Sequence, residues 1–255
     1  MKNFIEITDL KKVFVSGDEQ IHAFGPASIN INSGEFVSVL GPSGCGKSTL
    51  MLMIAGLLDS TSGKVEFEGK LVKEPKTDIG IMFQDNTLVP WRTIKANIEL
   101  QLELRGLKVK DFQNKIFNIL KSVSLDDFAD RFSNELSGGM QQRAAFCQAM
   151  IHDPKIILLD EPLGKLDAMT REKIRADFQK LWMVKKPTVI FVTHSIEEAV
   201  QLSSRVILIT PRPGKIDREI KIDLPYPRDL NVKKSQKFVE YLNSIHEVFH
   251  KYGVI

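Results

Sequence analysis

Hydrophobic and polar positions follow two rhythms along the chain. Short β-rich runs open it, at 4–8, 28–31 and 35–40, with "NSG" as a turn before the third. "EFVSVL" then enters a glycine-rich loop and the helical pattern "KSTLMLMIAGLL". "GKVEFEGKLV" reads as a hairpin and "DIGIMFQ" as a further apolar strand. From about 93 to 150 the pattern turns helical, with Phe112, Ile116, Ile119, Leu120 and Val123 recurring at helix spacing. After that, strand and helix alternate: "KIILLD", a helix over 168–183, "TVIFVT", a helix over 195–204, and "RVILIT". Apolar strands separated by helices predict a mainly parallel sheet with covered faces. A mainly helical subdomain, about 86–152, is therefore inserted into an α/β core. Beyond about 211 the pattern changes: "TPRPGKI" is a turn, "LPYPRD" resists helix, and 232–251 predicts a final helix. That helix carries Phe238, Leu242, Ile245 and Phe249 on one face, which core packing explains better than a partner.

Composition narrows the class. At 255 residues the chain suits one large domain or a core with a sub-lobe, and 43% hydrophobic with 26% charged residues is ordinary for a globular protein. A net charge of +3 without a dominant basic run does not suggest a nucleic-acid partner. No apolar stretch is long enough to span a bilayer, and "MKNFIEITDL" alternates like a strand and lacks the apolar core of a signal peptide. Two cysteines, Cys45 and Cys147, make no disulfide framework and fit a reducing compartment.

The chemistry sits at the ends of the apolar strands. "GPSGCGKST" places Gly41, Pro42, Ser43, Gly44, Cys45, Gly46, Lys47, Ser48 and Thr49 between a strand and a helix, the spacing of a phosphate-binding loop. Glycines let backbone N–H groups crowd phosphate oxygens, the helix N-terminus adds partial positive charge, Lys47 adds a point charge, and Ser48 offers a hydroxyl for Mg²⁺. "KIILLDEP" ends a buried strand in two carboxylates that repel each other and resist desolvation, which suits a site more than a scaffold. Asp160 fits a Mg²⁺-holding role and Glu161 the polarisation of an attacking water. "FVTHS" delivers His194 to the same edge, and Gln84 closes "IGIMFQ". In "NELSGGMQQR", Ser137, Gly138 and Gly139 precede a long helix and make a second anion cradle. Cys45 is expected at the loop surface, with a thiolate favoured by Lys47, and Cys147 in a helix interior. The alternative for Cys45 is a thiol turned into the core behind the loop.

The ordered set GPSGCGKST, Gln84, LSGGM, IILLDEP, LDAMTR and His194 resembles the ATP-binding subunit of ABC transporters over nearly the whole chain. The resemblance implies a P-loop NTPase core with an antiparallel β subdomain over 1–230 and a C-terminal helical extension over 231–255. It implies ATP and Mg²⁺ as cofactors, with Ser48, Gln84 and Asp160 toward the metal, Glu161, His194 and Lys47 in catalysis, and Asp167 in the segment beside the nucleotide. It also implies a head-to-tail dimer, in which the Ser137–Gly139 turn of one copy closes over ATP held by the other. Integral membrane permease subunits at the cytoplasmic face, and indirectly an external solute-binding protein, complete the implied assembly. Met140 where glutamine is commonest, "FQDNTLVPW" and "TPRPGKI" are similar to importers of the nitrate, sulfonate and taurine group; a vitamin-precursor pyrimidine also fits. An exporter, or a non-transport ATPase acting on nucleic acid or ribosomes, stands as the alternative. Phe14 in "LKKVF" is the candidate adenine-stacking residue, or else an ordinary strand residue. "NTLVPW" either packs within the helical lobe or presents a groove to the permease. Lys165 departs from the family pattern, which has a small residue there.

Overall fold

The computed structural model describes residues 4–254. They form two compact units: the chain up to Lys76 together with the chain from Pro187 onward, and Thr77–Lys186. The first unit begins with a long antiparallel hairpin, β1 (Ile5–Ser16) and β2 (Glu19–Ile31). Both strands overrun the short runs expected from the sequence. Asp9 sits at φ 46 and the register shifts between Ile7 and Lys12, so the in–out alternation breaks where the strand continues. β3 (Phe36–Leu40) is buried along all 5 residues and leads through a loop into α1 (Lys47–Ile54). The expected hairpin is β4 (Ser62–Phe67) and β5 (Lys70–Leu71), turned by Glu68 and Gly69, both at positive φ as a two-residue hairpin turn requires. β4 pairs with β1, completing a 4-stranded antiparallel sheet in the order β2-β1-β4-β5.

The second unit pairs β6 (Ile79–Met82) in parallel with a strand that arrives much later in the chain. Between them lie α2 (Ile94–Glu103), capped by Thr93, then α3 (Gln113–Ser122), and α4 (Gly138–Met150), capped by Ser137. The amphipathic face of α3 buries Ile116 and Leu120 as its spacing predicts. β7 (Ile156–Asp160), wholly buried, pairs with β6, and α5 (Ala168–Lys185) stacks Phe178 on Phe146 of α4 with ring centroids 3.9 Å apart.

The chain then returns to the first unit with β8 (Thr188–Thr193), α6 (Ile196–Leu202), β9 (Arg205–Ile209) and β10 (Ile216–Lys221). β3 lies parallel between β8 and β9, with Leu40 opposite Thr193 on one side and Leu208 on the other, and β10 adds antiparallel to β9. α7 (Leu230–Lys233) and α8 (Gln236–Lys251) finish the unit. α8 buries Phe238, Ile245, Val248 and Phe249 in one cluster with Leu40, Ala199, Val200 and Leu208. Its apolar face is core, as expected. Among the described residues no helix is long and apolar enough to cross a membrane.

One interior cation was invisible in the sequence pattern. Arg228 is 2% exposed and donates to Val200 O and Ser203 O, both at 2.7 Å, and to Ile222 O and Leu224 O at 3.3 and 3.2 Å. Its guanidinium lies 4.1 Å from the Tyr226 ring centroid. The fork ties the end of α6 to the incoming C-terminal segment. Arg228→Ala leaves those buried carbonyls without this donor and is expected to cost about 3 kcal/mol. That lowers the thermal midpoint by roughly 6–12 °C for a chain of this size. Arg228→Lys recovers little, because one ammonium cannot serve four diverging acceptors. A calorimetric scan showing an unchanged midpoint would contradict the clamp.

Candidate functional site

In the first unit the parallel register sets two strand ends side by side. Leu40 opposes Thr193, so Gly41 and His194 follow paired residues of β3 and β8. Residues 41–46 then wrap into α1, whose N-cap is Gly46 at φ 96 with no side-chain cap. A Cβ at Gly46 would stand 2.3 Å from Ala23 O, which excludes any other residue there. A Cβ on Gly44, at φ +77, would meet nothing within 4 Å, so that stretch of backbone is open for an anion to approach. Lys47 folds over the loop, donating from Nζ to Gly41 O and Pro42 O at 3.0 and 2.9 Å. Ser43, Gly44, Ser48 and His194 are exposed; Pro42, Gly46 and Thr49 are half-buried. An open glycine loop, a helix start without a side-chain cap and a lysine fit a polyphosphate. Phe14 lies on β1 in the antiparallel sheet, 41% exposed, with Lys12 Nζ 5.1 Å from its ring centroid.

Cys45 departs from the expectation. Its side chain is fully buried, turned behind the loop and away from solvent. Two glycines make the space: a Cβ on Gly41 would lie 2.9 Å from the Cys45 sulfur, and one on Gly214 would lie 1.8 Å from Cys45 O. Gly214 belongs to "TPRPGKI", and its carbonyl also accepts from Gly25 N at 2.8 Å. Membership of a loop does not fix which way a side chain points, and no local pattern signals this close approach of distant segments.

In the second unit Met82 opposes Leu159, so Gln84 and Glu161 lie equally far beyond the paired ends of β6 and β7. Gln84 Nε2 donates to Glu161 Oε2 at 3.5 Å. Asp160 is buried, and Glu161 takes a φ of 42, a left-handed backbone that costs energy for a residue with a side chain. Ser137 Oγ caps α4 by accepting from Met140 N at 3.4 Å. The two glycines after it divide their work. A Cβ on Gly139 would press to 2.4 Å of Thr170 Cγ2, so this glycine lets α4 approach α5. Gly138 is exposed, with only Leu166 Cδ2 within 4 Å, at 3.8 Å. Asp167 caps α5, accepting from Met169 N and Thr170 N at 3.1 and 3.0 Å; the Thr170 side chain, and after it these backbone hydrogen bonds, hold its carboxyl below the usual range.

The segment after Gln84 is held from within the same unit. Leu88 is buried, whereas Trp91 is 77% exposed. "NTLVPW" thus splits between packing and display. Buried Asn97 pins it: Oδ1 accepts from Val89 N at 2.7 Å, and Nδ2 donates to Val89 O, Arg92 O and Thr93 O. Nothing in the sequence singled out Asn97 except its place among apolar helix positions, a signal that marks a buried polar group needing partners. His246, Glu247 and His250 are exposed on α8, and among the described residues no group of three or more His, Cys, Asp or Glu can hold a metal.

The ABC transporter family matches residues 24–164 of this chain. The chain is 43% identical over 245 residues to an uncharacterized ABC transporter ATP-binding protein of Methanocaldococcus jannaschii, covering 96% of this chain and 91% of that protein. It is 39% identical over 251 residues to the aliphatic sulfonates import ATP-binding protein SsuB of Bacillus cereus, covering 98% of each. It is 42% identical over 229 residues to the taurine import ATP-binding protein TauB of a Jannaschia species, covering 88% of this chain and 85% of that one. Among solved structures it is similar to a dimeric post-hydrolysis state of an ATP-binding cassette bound to ADP and Pi. The TM-score is 0.75 at 34% identity, covering 86% of this chain and 98% of that one.

Both thiols are expected to be inert in the folded chain. Cys147 is buried in α4, and burial pushes its pKa up to about 12, so almost no thiolate forms at neutral pH. A colorimetric disulfide reagent should release little chromophore until denaturant is added, when both cysteines react. Rapid labelling of Cys45 in the native chain, blocked by ATP, would contradict its buried position.

Proposed function

The chain belongs to the ABC transporter family, and from that premise we propose that it is the ATP-hydrolysing subunit of an importer of small sulfonate-type solutes. The observation that carries the ATPase reading is the Gln84–Glu161 contact at the ends of β6 and β7. The phosphate loop and His194 at the ends of β3 and β8 match it. Identity to SsuB and TauB over most of the chain supports import, and their names favour sulfonates, of which taurine is one.

In the proposed mechanism the backbone N–H groups of residues 43–49, the N-terminus of α1 and Lys47 hold the triphosphate. Ser48, Gln84 and Asp160 would hold Mg²⁺, which supplies neutralising charge to the phosphate oxygens. Glu161 orients a water and takes its proton as the water oxygen attacks the γ-phosphorus. The bond from that phosphorus to the β-phosphate oxygen breaks, and ADP leaves. His194 contacts the γ-phosphate, and Phe14 stacks on the adenine. Ser137, Gly138 and Asp167 of a second copy close the site, an arrangement supported by the exposure of Ser137 and Gly138 and by the dimeric state of the similar cassette. Trp91 and Pro90 meet the permease subunits at the cytoplasmic face, and those subunits receive solute from an external binding protein.

Glu161→Gln keeps the shape of the side chain, removes its basicity and leaves the phosphate loop intact. Turnover is expected to fall at least about 100-fold, the usual loss for a missing general base. Nucleotide binding is expected to persist, and with Mg-ATP the variant should elute as a stable dimer in size-exclusion chromatography. Turnover equal to that of the unaltered chain would overturn the role of Glu161.

A further inference from the structure

Residues 84–86 send three consecutive side chains to two separate segments of the second unit, the loop after β7 and the start of α4. Gln84 reaches Glu161, Asp85 pairs with Lys165, and Asn86 Nδ2 donates to Gln141 Oε1 at 2.8 Å. Each partner lies far away in sequence. Gln141 is itself anchored just before the Ser137 turn, where its Nε2 donates to Ser133 O and Leu136 O at 2.7 and 3.2 Å. Asn86 is also tied forward, its Oδ1 accepting from Leu88 N at 2.9 Å. The loop bearing Trp91, the turn bearing Ser137 and the segment bearing Glu161 thus share one hinge point.

The contacts differ in strength. Gln84 to Glu161, at 3.5 Å, sits at the outer limit of a hydrogen bond and cannot hold the loop by itself. Asn86–Gln141 is short, and both amides are anchored further, Asn86 through its Oδ1 and Gln141 through its Nε2. Asp85–Lys165 is exposed at both ends, 86% and 61%, so it contributes little to global stability. Its leverage is geometric. It fixes the residue adjacent to Gln84 on the segment that carries Glu161 and Asp167.

We infer that the Asp85–Lys165 ion pair and the Asn86–Gln141 hydrogen bond are positioning contacts that seat Gln84 against Glu161. They make the Trp91 loop and the Ser137 turn answer to that seat. This rests on the roles proposed above for Gln84 and Glu161. Lys165 gives this chain a salt-sensitive brace between the Gln84 segment and the segment bearing Glu161.

A charge swap in the full-length chain tests the brace. Asp85→Lys and Lys165→Asp should each lower kcat about three- to tenfold, with KM for ATP changed less than about twofold. The double variant should recover at least about half of the lost rate, because the pair is restored in reverse. Thermal midpoints should not move, which separates positioning from folding. Raising salt from about 50 to about 500 mM should lower kcat of the unaltered chain toward that of Lys165→Ala, since an exposed pair is screened. Gln141→Leu should show a similar kcat loss that salt does not change. Hydrogen exchange over 83–91 reads the brace without turnover: exchange quickens in Lys165→Asp and slows again in the swap. Single variants with unaltered kcat and exchange, or a swap as defective as either single, would overturn the inference. Absent hydrolysis in the unaltered chain, with exchange behaving as described, would instead count against the ATPase reading alone.

Discussion

At its two ends, Gly41 and Gly46, the loop after β3 is packed against other main chain where no side chain fits. A Cβ on Gly46 would meet Ala23 O of β2 at 2.3 Å, one on Gly41 would meet Ile209 O at the end of β9 at 2.9 Å, and one on Gly214 would meet Cys45 O at 1.8 Å. The loop is therefore shaped by its surroundings, and in the proposed reading it needs little reorganisation to present its N–H groups to a phosphate. Lys47 waits on the loop's own carbonyls, a loose arrangement that a phosphate oxygen can replace. The same constraint turns the Cys45 thiol inward. It also explains why a turn as distant as "TPRPGKI" belongs to the site, since Gly214 seals the loop from behind.

The second unit solves a different problem, keeping acidic and polar groups aligned at its strand ends. Parallel pairing of β6 and β7 places Gln84 beside Glu161, whose backbone takes a left-handed φ of 42. The glycine pair after Ser137 serves two ends at once. Gly139 allows packing inside the chain against Thr170, while Gly138 and Ser137 stay exposed on a capped helix N-terminus. In the proposed assembly a second copy gives this exposed, dipole-bearing cradle its purpose.

The strand ends were legible in the sequence because largely apolar runs terminate in polar residues at β6, β7 and β8 and in the glycine-rich loop at β3. The C-terminal helix was legible from its period, and Phe238, Ile245 and Phe249 are buried as that period demands. The length of β1 and β2 was not, because bulges shift the alternation on which a period-two pattern depends. Long-range partners also left no trace. Arg228, Asn97 and Gln141 look like ordinary polar residues until the fold brings carbonyls and amides to them, and Lys165 showed only that something was different. Cys45 was misplaced because the space for its side chain is made by glycines well separated in the chain.

In the proposed assembly one chain holds only half of each ATP site. Lys47→Ala damages the phosphate loop, Ser137→Ala damages the cradle, and in either homodimer both composite sites carry a lesion. Mixing the two chains makes heterodimers with one doubly damaged site and one intact site. ATP hydrolysis by an equal mixture should recover to roughly a quarter of the unaltered rate, because half the dimers are mixed and each has one working site of two. Activity no greater than that of the separate mutants, with heterodimers demonstrated by differential tagging, would contradict the shared site.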